Sequence, residues 1–553
     1  MSKRRKNDSI DVKGNRKVDI LGWLLVILAL GLNFIIIFKG TRAFIHSDGA
    51  TVITYAMEQI SQRKLYPDGW WYGTDIWDFG LNTLIVPFLK LCTHWIDARA
   101  CAVMVQTMCI IPITLWMKRQ ELLREKVWIV VLFFLVPVSE VVSEHWYFQA
   151  TYMTLCLVLA VMILSVSMIL SQNKKESILG TVILLLLLFF KIGAGYMLLL
   201  VFALPMLLTM LLQAVKENHK GNKQEIYKYL RAAGILTIGI LIGVLYNKYL
   251  LSVLNTNMSA TSGYGFVNYQ SVSTGVLNVI INFSRLFGVA DKEGVLLSLG
   301  GINKALAFVY CVGMLGFIPF MLIKKFNKLK NEFQRIFLLY SFISSFAVLY
   351  LHVFAGMPQS RYLIWIYFYS IIWLGIWVDN YSIMKFEYEK EIKIGLAAFS
   401  VVFIGGVYTY YLTYDYENNP DSLGVNNVYV DYKVDRELLE YLEENNYTYG
   451  YSTYWFAHSN YVASDGKIKM SAVTPDWKQP YYWLTSEKWF QEVQEGECFL
   501  LVPSAQYAVV PEVYKNKAIK REIFHDHVIY IYEDFATMQE IWNSLSEEVA
   551  EEE

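Results

Sequence analysis

The chain has 553 residues, of which 55% are hydrophobic, 16% aromatic and only 18% charged. So apolar a composition excludes a large soluble protein and fits a polytopic membrane protein. The net charge of −1 conceals two opposite parts: residues 414–553 carry 26 acidic and 10 basic side chains, net −16, while residues 1–413 are net +15. A sign change of that size at one point marks a change of domain and of compartment.

The first apolar run, Ile20 to Phe38, contains one strongly polar residue, Asn33. At ~1.5 Å per residue it is long enough to cross ~30 Å of hydrocarbon. The basic residues before it (Lys3, Arg4, Arg5, Lys6, Lys13, Arg16 and Lys17) resemble a signal-peptide n-region. The run is longer than an h-region, however, and no small-residue cleavage site follows, so a retained span is predicted. Ten further apolar runs follow, at 100–117, 127–142, 150–170, 177–190, 195–213, 232–250, 305–323, 336–354, 361–378 and 394–413.

The segments between them alternate in charge. Those at 1–18, 118–126, 171–176, 214–231, 324–335 and 379–393 hold 26 Lys and Arg, against roughly a dozen in the intervening loops, the asymmetry that places basic loops in the cytoplasm. This puts the N-terminus inside and, after eleven spans, residues 414–553 outside. The predicted fold class is an α-helical polytopic membrane protein (residues 1–413) with a C-terminal extracytoplasmic α/β domain (residues 414–553), located in the cell membrane.

Two outer loops are long, and function is expected where loops are large. The first, 39–99, includes YPDGWWYGTDIWDFG and predicts short interfacial helices with aromatic anchors. The fourth, 251–304, includes TNMSATSGYGFVNYQSVSTG, a Gly/Ser/Tyr stretch with mobile-loop chemistry. In the tail, DRELLEYLEENN and SEKWFQEVQEG read as helices. YTYGYSTYW, KIKMSAVT, ECFLLVPS and REIFHDHVIYIYED read as strands, the last at a sheet edge, and the terminal EEVAEEE as frayed. Alternating helix and strand predicts a partly parallel sheet covered by helices. The six cysteines have no metal-ligand spacing and are read as small packing residues.

Several polar residues stand out against this background. Asp48, in FIHSDGATVITYAMEQI, follows the first span on the outer side. It reads either as the N-cap of a helix or as a catalytic base, and the two roles are compatible. Glu140, Glu144 and His145 close the third span in VSEVVSEHWYFQ; the two acids share one face if the helix continues, where they would bind a metal or position a sugar, or supply ordinary interfacial polarity. Lys191 interrupts ILLLLLFFKIGAGYMLLL, either snorkelling at a helix end or facing a phosphate. Arg361, in AGMPQSRYLIW, presents a fork that matches phosphate oxygens, or is an interfacial arginine among aromatics. Asp75 and Asp78 either line a cavity or face water, the latter being favoured. His525, Asp526 and His527 share a strand face at two positions, too few for a metal site.

Together these features resemble the GT-C class of membrane glycosyltransferases, which includes the lipid-linked-sugar families for protein O-mannosylation and for aminoarabinose transfer to lipid A. The resemblance covers residues 1–413 as architecture and few positions as motif: Asp48 in HSDGA matches the acid soon after span one, and Arg361-Tyr362-Leu363 resembles an Arg-Tyr-Leu element near the start of a late span. The paired acids of many relatives are not matched, because Gly49 follows Asp48, and no proline closely follows Arg361-Tyr362-Leu363. No cofactor is expected, and a required divalent metal is not favoured.

The resemblance implies transfer of a sugar from a polyprenyl-phosphate donor to a hydroxyl of a glycan, lipid or protein on the outer face, with inversion. Asp48 would be the base. Lys191 and Arg361 would stabilise the departing phosphate, with Tyr362, Glu140, Glu144, His145, Asp75 and Asp78 around the substrate and Tyr264 packing on sugar or lipid. The expected partners are the lipid-linked sugar, membrane lipids and the acceptor, with no nucleic acid. The alternatives are a transporter or flippase, or an accessory membrane protein, for lipid-linked envelope glycans. A transporter predicts ionisable groups through the middle of several spans, whereas the charges here collect at span ends.

Overall fold

The computed structural model describes residues 2–257, 265–268, 271–289, 298–329, 331–355, 359–381, 389–414, 434–491 and 495–552. Among these, ten helices are long and apolar enough to cross a membrane, and a bent pair, Val127–Leu135 with Glu140–Phe148, raises the number to eleven. The chain is a multi-pass membrane protein. The spans match the predicted runs in number and position, with one correction: the third is not a continuous helix but turns by 90°.

The cause of that break is local. Pro137 forces the preceding residue out of the helical region, and Val136 is extended, at φ −77° and ψ 122°. The carbonyls freed at the end of the first limb still need donors in an apolar setting. Leu135 O receives the Asn33 amide at 2.6 Å, the Tyr147 hydroxyl at 2.7 Å and the Tyr408 hydroxyl at 3.1 Å. The one strongly polar residue of the first span thus satisfies the broken backbone of the third. Elsewhere small residues let spans approach closely. A Cβ on Gly239 or Gly243 would stand 2.4 Å from Leu188 Cδ1 or 2.6 Å from Leu188 O, so helix Lys223–Val253 packs backbone to backbone on Lys174–Ala194.

The chain divides into two compact units. One comprises Met1–Ile37, Val103–Tyr249 and Gly263–Tyr414, and holds most of the spans. The other comprises Phe38–Ala102, Leu250–Ser262 and Asp415–Glu553, so the first long loop is grouped with the C-terminal residues.

Two sheets organise the second unit. Strand β1 (Trp70–Tyr72), from the first loop, pairs in parallel with β2 (Asn255–Thr256). The C-terminal segment supplies β3 (Tyr449–Thr453), β4 (Lys469–Val473), β5 (Thr485–Ser486), β6 (Cys498–Pro503), β7 (Lys520–Phe524) and β8 (His527–Tyr532). β5 adds antiparallel to β1, closing a sheet of order β2-β1-β5. The larger sheet has the order β4-β3-β6-β8-β7: β4, β3 and β6 are parallel, and β8 and β7 are antiparallel. A core of Tyr451, Leu500, Tyr530 and Trp542 lies between this sheet and the terminal helix Phe535–Glu552.

The predicted partly parallel sheet with helical cover is present, and β7 is the expected edge. Three details differ. YTYGYSTYW is a strand only to Thr453, and Tyr454 opens a helix, Tyr454–Ala463. The terminal helix runs to Glu552 where fraying was expected. Trp70 and Tyr72 of the first loop are buried within the unit, where interfacial anchors were expected. All six cysteines are free thiols.

Candidate active site

Asp48 lies in the first turn of helix Ser47–Gln62, where the helix dipole favours a carboxylate. It is not the cap, which corrects one of the two readings above. The N-cap is His46, whose Nδ1 accepts the Asp48 N–H at 3.2 Å. The Asp48 carboxylate is therefore left for other work. Its Oδ1 accepts the Tyr454 hydroxyl at 2.8 Å, and its Oδ2 has no hydrogen-bond partner among the described residues. Burial, and then the Asp48 charge, hold the Tyr454 hydroxyl well above its ordinary pKa, so Tyr454 stays a donor. The Asp48 side chain is half-buried: one oxygen is fixed and the other is available.

The support beneath it is built from residues far away in sequence. Helix Tyr454–Ala463 packs along Ser47–Gln62. Ser47 Oγ donates to Tyr454 O, and Thr54 Oγ1 lies 3.4 Å from His458 Nδ1. Asp465, after that helix, binds back to the first loop: Oδ1 accepts the Trp95 N–H at 2.8 Å and Oδ2 meets His94 Nδ1 at 2.7 Å. Arg42 and Asp97 form a two-bond ion pair, both contacts at 2.7 Å. Arg99 is buried against the residue after Asp48, its Nη2 lying 3.5 Å from where a Gly49 Cβ would stand. Sequence reasoning singled out none of Tyr454, His458 or Arg99. Tyr454 is 406 residues from Asp48, and no local pattern links them.

His458 makes this region acid-sensitive. It is fully buried beside Trp489, with ring centroids 5.2 Å apart, and burial holds its imidazole down at about 3. An unfolded histidine titrates near ~6.5. Between those values the unfolded chain binds a proton that the folded chain does not, so stability falls as pH drops through that window, by ~1.4 kcal/mol per pH unit. Thermal melts of the full-length protein in detergent should show a lower midpoint at pH 4.5 than at pH 7, and His458→Phe should flatten that difference. An equal pH dependence in the variant would remove His458 from the account.

Glu140, Glu144 and His145 lie in the membrane unit, and the bend rearranges them. Glu140 starts the second limb behind an N-cap, Ser139, whose side chain accepts Val142 N–H at 3.1 Å. The limb continues as a wider π-turn, Ser143–Phe148, so the regular α spacing assumed for Glu140 and Glu144 does not hold. Both acids and His145 are buried. Glu140 Oε1 accepts the Tyr410 hydroxyl at 3.2 Å, Glu144 Oε1 accepts the Gln149 amide at 2.9 Å, and His145 Nε2 stands 3.9 Å from Glu144 Oε2.

Arg361 and Tyr362 belong to a 3₁₀ turn, Ser360–Leu363, with the guanidinium carbon 5.4 Å from the Tyr362 ring centre. Ser360 Oγ donates to Asn282 Oδ1 at 2.8 Å, and Asn282 Nδ2 lies 2.9 Å from His352 Nε2. This pins the turn to helix Val272–Leu286 of the fourth loop. That helix and the turn both touch Glu140–Val142. The Glu140 and Arg361 segments, 221 positions apart by number, are thus brought together.

Lys191 sits half-buried in the last turn of Lys174–Ala194. Asp75 is exposed, as favoured, but Asp78 is buried three residues before helix Leu81–Leu89, where its backbone carbonyl accepts the Asn82 amide at 2.9 Å. Tyr264, with residues 258–263, lies outside the described residues. His525 and His527 do not share a strand face: His525 is in the turn after β7, paired with Asp435 at 2.7 Å, and His527 opens β8 against Phe456. Among the described residues no three His, Cys, Asp or Glu side chains gather as metal ligands would.

Ten to eleven apolar spans, a helix carrying an acid directly after the first of them, and a C-terminal mixed-sheet region define a polytopic membrane protein. Among solved structures, the chain is similar in fold to ArnT from Cupriavidus metallidurans bound to undecaprenyl phosphate: TM-score 0.51 and 12% identity, covering 92% of this chain and 98% of that one. The apo state of the same protein aligns at TM-score 0.40 and 11% identity over 93% and 98%, too low to carry an argument. No protein-family profile and no curated protein matches the chain by sequence.

Proposed function

We propose that the protein is a membrane glycosyltransferase that moves a sugar from a polyprenyl-phosphate donor to an acceptor hydroxyl on the extracytoplasmic face. The observation that carries this reading is the Asp48 carboxylate, relieved of capping by His46 and oriented through one oxygen by Tyr454. The fold likeness to ArnT, whose structure contains undecaprenyl phosphate, supports the donor class. The N-terminal basic residues and the inner-loop lysines support the orientation.

In this reaction the acceptor oxygen bonds to the anomeric carbon while the bond from that carbon to the phosphate oxygen breaks. The hydroxyl proton passes to the Asp48 carboxylate, a positioned base. The bonding electron pair leaves with polyprenyl phosphate, and Arg361 and Lys191 stabilise the added charge. A single displacement of this kind inverts the anomeric centre. A base needs an open lone pair and a fixed orientation; the Tyr454 bond to Oδ1 supports the second, and Oδ2, which accepts no hydrogen bond among the described residues, supports the first.

The test is direct. Radiolabelled lipid-linked sugars extracted from the host membrane are incubated with the purified full-length protein and the host's envelope glycan. The expected result is label in the glycan and free polyprenyl phosphate in the lipid fraction. Label that stays on the lipid under every acceptor overturns the reading.

A further inference from the structure

The second unit contains a partly open cleft of about 730 Å³ that none of the chemistry above uses. This is within the ~300–1,000 Å³ range of small-ligand sites. Its floor and walls come from chain-distant segments gathered by the β2-β1-β5 sheet: Trp71 of β1, Asn257 just after β2, Tyr482 just before β5, and Gln539, Trp542 and Asn543 of the terminal helix. The last three are spaced i, i+3 and i+4, so they present one helical face.

The lining is chemically selective. Among its described residues, Asp, Glu, Lys and Arg are all absent. That is notable in a segment with 26 acidic side chains and a net charge of −16. What remains are aromatic rings and amide or hydroxyl groups. Aromatic faces pack against apolar C–H surfaces, and an amide offers both donors and an acceptor, as a sugar hydroxyl does. The nearby Asp476 carboxylate accepts the Thr474 hydroxyl at 2.5 Å and disfavours an anion, the lining itself offers a cation no charged side chain, and a purely apolar chain would strand the amides unpaired. A neutral sugar satisfies both kinds of surface.

The walls are also held in place. Trp71 and Tyr482 pack with ring centroids 5.0 Å apart, and Asn257 Nδ2 donates to Tyr482 O at 2.9 Å. Trp542 Nε1 donates to the Tyr514 hydroxyl at 3.0 Å. Gln479, at the rim, is carried on a turn closed by Thr474 N to Gln479 O at 2.9 Å and Gln479 N to Thr474 Oγ1 at 3.2 Å. Its side chain, like those of Gln539 and Asn543, is exposed.

We propose that this cleft is a glycan-binding site for neutral sugar residues, holding the acceptor chain during transfer. That the occupant is the acceptor rests on the transferase reading; that a neutral glycan binds does not. The probe is the neutral oligosaccharide fraction released from the host envelope, separated from the charged fraction by anion exchange and end-labelled with a fluorophore. Fluorescence polarisation is read with the full-length protein in nanodiscs.

Saturable binding of the neutral fraction is expected. It should be weakened about tenfold or more in Gln479→Ala/Asn543→Ala, whose exposed positions leave the fold intact, and unchanged in Asp48→Asn. No saturable binding, equal binding by the double variant, or preference for the charged fraction would overturn the proposal. Binding by Asp48→Asn without any transfer by the wild type would leave the cleft standing and remove the transferase reading.

Discussion

Asp48→Asn should abolish sugar transfer while leaving the protein folded. The substitution keeps the shape and an amide oxygen that still accepts the Tyr454 hydroxyl, so the 2.8 Å contact and the packing of Tyr454–Ala463 on Ser47–Gln62 survive. What is lost is the basic oxygen. Removal of a positioned general base costs about 10²–10⁴-fold in rate, and steady-state turnover by the purified variant should fall by that amount with an unchanged melting temperature. Tyr454→Phe provides the graded companion. It retains the base but releases its orientation, and should cost roughly tenfold, the value of one hydrogen bond to a charged group. A variant lacking Asp48 that turns over at the wild-type rate would remove the base assignment whatever else held.

The second large effect is expected at Arg361. Arg361→Ala should raise the apparent KM for the lipid-linked donor by roughly 10- to 100-fold, the scale of one lost charge-assisted pair, with little change in the KM for the acceptor. The turn that carries it is fixed by Ser360 to Asn282, so the loss is of the guanidinium and not of the local fold. Arg361→Lys should recover part of the donor affinity, because an ammonium supplies charge without the planar fork. Equal donor KM values for wild type and Arg361→Ala would argue against any phosphate role.

Much of the architecture could be read from the sequence, for a physical reason. Spans are long, apolar and punctuated by basic loops, so one-dimensional hydropathy carries most of their information. The bend in the third span escaped because its apolar run continues through the break. Pro137 was present, but the carbonyl it frees is satisfied by Asn33, Tyr147 and Tyr408, and only the folded chain shows those partners.

The candidate site was legible only in its first member. Asp48 stood out as an acid just after a span. The residue that holds it, Tyr454, lies in a stretch whose alternating tyrosines suggest a longer strand; the strand in fact ends at Thr453, and the next ten residues are helical. Likewise the aromatic loop looked like a set of membrane anchors, whereas Trp70 and Tyr72 are interior residues of a unit shared with the C-terminal segment. Aromatic content alone cannot separate these outcomes, because an interfacial belt and a small domain core draw on the same residues. The neutral cleft was invisible for a similar reason: its lining comes from four stretches of chain, none of which carries a pattern of its own.

The central claim is that the chain transfers a lipid-linked sugar through Asp48. The most direct test is mass spectrometry of envelope glycans and lipid-linked sugars in a deletion strain complemented with either wild type or Asp48→Asn. The account predicts that the deletion and the Asp48→Asn strain both lack one surface sugar and accumulate its polyprenyl-phosphate form, and that the wild-type gene restores both pools. Identical glycan and lipid-linked pools in all strains would contradict it.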